Sequence, residues 1–65
     1  MAFIRLTKTV TEQPVWINVD QIVGVWREDD GTHVLHNNPG WWVVRESPER
    51  VIALADEAIR NDWRD

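Results

Sequence analysis

The sequence predicts an α+β fold: an antiparallel sheet of four to five short strands with one C-terminal helix packed on one face. Three observations predict it. Apolar and polar residues alternate with period two through most of residues 3–45, and turn-forming clusters interrupt that alternation every few residues. From Ser47 onward the apolar spacing changes to that of a helix and stays so to the end. With 65 residues there is room for one domain and one small core.

The elements follow in chain order. Phe3 to Thr9 alternates, with Ile4 and Leu6 on one face and Phe3, Arg5 and Thr7 on the other. The polar Thr11-Glu12-Gln13-Pro14 ends this first strand, since proline cannot donate to a ladder. Val15, Ile17 and Val19 then point inward and Trp16 and Asn18 outward. Asn18 and Asp20 are cap formers, so a bend or single helical turn is expected at Val19-Asp20-Gln21 before the strand Ile22 to Arg27, where Gly24 suggests a bulge. Asp30-Gly31 is a tight-hairpin signature leading into Thr32 to His36. Asn37-Asn38-Pro39-Gly40 forms the next turn, and Trp41 to Arg45 the last strand. Ser47-Pro48-Glu49 supplies an N-cap, a first-position proline and an acid at the positive end of the helix dipole. The helix is expected to run to about Asn61. Its apolar stripe comprises Val51, Ile52, Leu54, Ala55, Ala58 and Ile59, with Trp63 one turn on, and Asp56 and Arg60 sit four apart on the wet side.

Five tryptophans in so short a chain bear most on function, above all the adjacent pair Trp41 and Trp42. Neighbouring strand residues face opposite ways, so one of the two indoles points away from the core that the other fills. One helix covers one sheet face. Phe3, Val23, Val25 and one indole of the pair are then expected on the uncovered face or its rim, with Trp16 and Trp26 as further interface candidates. No cysteine is present, so disulfides and thiolate metal sites are excluded, and oligomerisation is the remaining common staple of a small domain. A homo-oligomer that binds a protein partner is the expectation.

Other classes fare less well. A net charge of −4 and a single lysine, Lys8, argue against a protein that wraps a phosphate backbone. The competing picture has the tryptophans stacking nucleobases beside Arg5, Arg27 and Arg45. A third places a small aromatic ligand between copies. His33 and His36 invite a metal, yet residues three apart on a strand diverge. The single serine, Ser47, is explained as a cap, and Glu28, Asp29 and Asp30 as a solvated hairpin tip. No enzyme, cofactor or metal is expected. The start Met-Ala-Phe-Ile-Arg lacks a signal-peptide layout and no apolar run is long enough to span a bilayer, so the expected location is cytoplasmic without membrane insertion.

Ile4 to Thr7, then Asn18 to Ile22 with its Asn-x-Asp-x-Ile order, an acidic hairpin turn, and Val43 to Val51 together resemble the FlbD-like family of small proteins encoded in flagellar operons. The resemblance spans residues 3 to about 60. It implies a short bacterial protein linked to motility, with no catalytic site or cofactor and no functional residue to carry over. The Pro-Gly-Trp-Trp segment departs from the family pattern. A relative that keeps the fold and serves a phage or mobile element is the alternative setting.

Overall fold

A computed structural model describes residues 2–37 and 40–62. Within them are five strands, β1 (Phe3–Thr7), β2 (Pro14–Asn18), β3 (Ile22–Glu28), β4 (Gly31–His36) and β5 (Gly40–Val44), followed by one helix, α1 (Pro48–Asp62). The α+β class is as expected. The strands divide into two antiparallel sheets, β1-β2 and β3-β4-β5. A bridge between Lys8 and Val44 joins them, flanked by hydrogen bonds from Thr9 N–H to the Val43 carbonyl and from Arg45 N–H to the Thr7 carbonyl.

Alternation sets the faces. Ile4 lies opposite Ile17 and Leu6 opposite Val15, while Arg5 and Trp16 pair on the other side. In the second sheet Val25, Val34 and Trp42 line up across β3, β4 and β5 on the inner face. The buried core is Ile4, Leu6, Ile17, Val34, Val44 and Val51, with Val15, Val19, Ile22, Val25, Trp42, Leu54 and Ala58 packed against it. Apolar strand faces and one helix stripe thus meet in a single cluster, the main source of stability in so small a chain.

Asn18 accepts a hydrogen bond from Asp20 N–H at 3.0 Å and caps a single 3-10 turn over Val19–Gln21, where the sequence leads one to expect it. The pairing of β3 with β4 shifts between Ile22 and Gly24. The extra residue is Val23. That bulge lets both Ile22 and Val25 face the core, three apart, and turns Val23 out to 58% exposure. Val25, expected on the uncovered face, therefore packs inward.

At the β3-β4 hairpin, Glu28 pairs with Gly31, so the two-residue loop is Asp29-Asp30 rather than Asp30-Gly31. Gly31 carries the positive φ, 136°, at the start of β4. A Cβ there would stand 3.0 Å from the Val44 carbonyl oxygen and 3.1 Å from Thr9 Oγ1, so both backbone and space demand glycine.

Helix α1 begins as its sequence dictates. Ser47 Oγ accepts from Arg50 N–H at 3.1 Å, and the Ser47 carbonyl accepts from Val51 N–H at 2.9 Å. Its packed stripe is narrower than the sequence suggests: Val51, Leu54 and Ala58 meet the core, whereas Ile52 is 59% and Ile59 41% exposed. The short strands beneath offer too little width to cover a broader one. Asp56 and Arg60 form the expected exposed pair at 3.1 Å. Trp63 lies outside the described residues.

Candidate functional site

Three strands bring together a row of rings on the outer face of β3-β4-β5. Trp26 lies directly across from His33, and Trp41 lies diagonally across from it on β5. Ring centroids are 5.6 Å apart for Trp26 and His33, and 6.3 Å apart for His33 and Trp41, the latter nearly parallel at 13°. The row is in solvent on its outer side, with Trp41 57% and Trp26 37% exposed. His33 is fixed in the middle by Asp30, whose Oδ1 sits 2.7 Å from Nε2. The His33–Asp30 contact and the ring contacts place the three rings side by side, an arrangement that lowers the entropy cost of using the surface.

Trp42 is the inward member of the adjacent pair. It packs on the core and against His36, with ring centroids 4.9 Å apart, and Lys8 Nζ stands 5.9 Å from its ring centroid. Which indole of the pair faces the core, left open by the sequence, is thereby decided: Trp42 packs inward and Trp41 lies at the surface. His33 and His36 do diverge, one joining the outer row and the other meeting Trp42 on the inner side.

Two clefts flank these rings. One, about 230 Å³, is lined by Lys8, Val10, Thr11, Trp41, Trp42 and Val43. The other, about 190 Å³, is lined by Trp16, Ile17, Asn18, Gln21, His36 and Trp42. Trp16, 59% exposed, thus belongs to a second locus with Trp42 rather than to the outer row. Phe3 and Val23 are exposed at 53% and 58% but line neither cleft.

Two of the three arginines named beside the tryptophans, Arg27 and Arg45, are engaged with carboxylates. Arg27 Nη2 is 2.8 Å from Glu49 Oε1, tying β3 to the start of α1, and Arg45 Nη1 is 3.1 Å from Glu12 Oε1. The backbone N–H of Glu49 in the first helical turn holds the Glu49 carboxyl below its ordinary value; desolvation opposes it, and the Arg27 guanidinium and the Ser47 hydroxyl add smaller lowering contributions. No group of three or more His, Cys, Asp or Glu side chains that could hold a metal ion occurs among the described residues, and no described helix is long and apolar enough to cross a membrane.

The sequence marked Trp26 and Trp41 but treated His33 only as a metal candidate. Its place in the row was readable from the hairpin: a two-residue loop at 29–30 sets residue 26 opposite residue 33. Lys8 over Trp42 carried no local signal, because the contact arises where the two sheets join.

No family model, curated protein or solved structure matches the chain. Fold and surface together define a small α+β domain with a solvent-facing row of aromatic rings.

Proposed function

We propose that this chain is a non-enzymatic interaction module that associates with itself through the outer face of β3-β4-β5 and binds a protein partner. The observation that carries this reading is the row in which Trp26 and Trp41 lie exposed on either side of a largely covered His33. Rigid indoles that remain in water on a preformed surface are typical anchors of protein interfaces, where each can cover a large area with few rotors to freeze. Exposed Val23, Ile52 and Phe3 add apolar surface elsewhere on the molecule. The pairing of Arg27 and Arg45 with carboxylates, in a chain of net charge −4, favours a protein over a nucleic acid as partner. The likeness of Ile4 to Thr7, Asn18 to Ile22 and Val43 to Val51 to the FlbD-like family supports a motility-linked, cytoplasmic setting.

Light scattering after size exclusion tests the proposal. A dimer or larger species is expected, reverting toward monomer on Trp26→Ala or Trp41→Ala. A monomer at all concentrations, whose tryptophan emission is quenched by single-stranded oligonucleotides with steep salt dependence, would replace this reading with a nucleic-acid-binding one.

A further inference from the structure

We infer that the upper edge of β5 is an acceptor for an extended, acidic segment of a partner protein, which adds as a strand beside Trp41. The inference deepens the protein-binding half of the function proposed above.

Backbone hydrogen bonds place the site. Val43 accepts from Thr9 and Arg45 donates to Thr7, so odd-numbered residues of β5 turn their N–H and C=O groups toward the β1 side. By the same alternation Trp41 points its N–H and C=O in that direction. The chain, however, has already left: after Thr9 it curls into a tight return, closed by Glu12 N–H to the Lys8 carbonyl and Lys8 N–H to the Gln13 carbonyl. Among the described residues no backbone group pairs with Trp41 on this side. The gap left behind is the 230 Å³ cleft, with β5 as one wall and Val10 and Thr11 as the other. Val10, at its rim, is 90% exposed.

The outer edges of β2 and β3 are blunted. β2 begins with Pro14, and the outer edge of β3 carries the Val23 bulge and the charged Arg27-Glu28. At the foot of β5 the adjoining Thr7 N–H is satisfied by Glu46 Oε1 at 2.9 Å. Gly40-Trp41-Trp42 has none of these protections.

Pleating specifies the occupant. A residue opposite Trp41 would exchange two backbone hydrogen bonds with it and lay its side chain on the outer face beside Trp41 and Val43, which favours an aliphatic group. Its neighbour in sequence would point the other way, toward Lys8. Among the described residues Lys8 is the only charged one lining the cleft, so a carboxylate is the complementary group there. The small size of the cleft, about 230 Å³, suits a short peptide segment rather than a second folded copy.

The test is a titration of the full chain, followed by amide and indole NMR signals, with a capped Val-Glu-Val-Glu-Val peptide. Its counterparts are Val-Lys-Val-Lys-Val and a Val-Glu peptide N-methylated at the central residue. The expected result is a shift of the Trp41 amide with slowed exchange, binding at least about tenfold weaker for the N-methylated and lysine peptides, and a reversed preference in Lys8→Glu. Trp41→Ala, which loses the indole but keeps the edge-facing N–H, should weaken binding, and Trp41→Pro, which loses both, should abolish it. Equal binding of the N-methylated peptide overturns the inference. So does a Trp41 amide already protected in the free protein in a concentration-dependent way, which would assign the edge to a second copy. Repeating the titration on Trp26→Ala separates the outcomes: a monomer that still binds the acidic peptide leaves this inference standing while self-association fails.

Discussion

Truncating each indole of the adjacent pair singly to alanine tests the division of faces most directly. A tryptophan can bury up to about 250 Å². Trp41 leaves 57% of its surface in water, so it covers about 100 Å², worth about 2.5 kcal/mol at about 25 cal/mol per Å². Alanine retains part of that cover, so the expected loss for Trp41→Ala is about 1–2 kcal/mol. Trp42 packs on the core and on His36 and fills the space between the two clefts. Its removal leaves a cavity as well as losing transfer energy, and about 3–4 kcal/mol is expected. For a domain of this size each kcal/mol lowers Tm by about 4–8 °C, so the two variants should differ clearly in thermal melts. Light scattering on the same samples should move in the opposite order, with Trp41→Ala weakening self-association and a folded Trp42→Phe, which keeps an aromatic filler, leaving it intact. Equal stability losses with unchanged assembly for both would refute the assignment.

Removing the helix cap by Ser47→Ala should cost about 1 kcal/mol, because Arg50 N–H loses its acceptor; Ser47→Asp should restore it, as read in urea melts. Gly31→Ala forces a side chain into positive φ against the Val44 carbonyl, and a loss of at least about 1–3 kcal/mol is expected, far above that of Gly24→Ala, whose Cβ would meet Trp26 at an ordinary 3.7 Å. The folded-state pKa of Glu49 is depressed, so its contribution to stability is present above the ordinary value of 4.5 and is lost as pH falls through the lower folded value. Carboxyl NMR titration should place Glu49 below a reference glutamate, and Arg27→Gln should raise it without removing the whole depression, since the backbone N–H remains.

Most of the fold was legible because its signals are local. Alternation in Phe3 to Thr7 and Val15 to Asn18, the Asn18 cap and the Ser47-Pro48 start each act within a few residues and appear where the sequence placed them. What escaped depends on partners distant in the chain. Ile52 and Ile59 have helical spacing suited to a core, but whether a core is wide enough to receive them is decided by the strands. Val25 was placed outward because alternation was counted through Val23, and a bulge changes the count by one. The hairpin loop slipped by one residue because glycine at the first position of β4 serves a type of turn in which both aspartates keep negative φ.

The bulge also explains why the surface is where it is. Without an extra residue at Val23, regular alternation from Ile22 would carry Trp26 to the inner face with Gly24, and Val25 would join the outer one. One inserted residue puts Val25 in the core and Trp26 across from His33, and the hairpin register then brings Trp41 into the same row. Gly24, between the bulge and Trp26, offers no side chain, so the indole lies over it within van der Waals reach of where a Cβ would be. A single local irregularity in β3 therefore does two things at once: it completes a small core and assembles the aromatic face on which the proposed interaction depends.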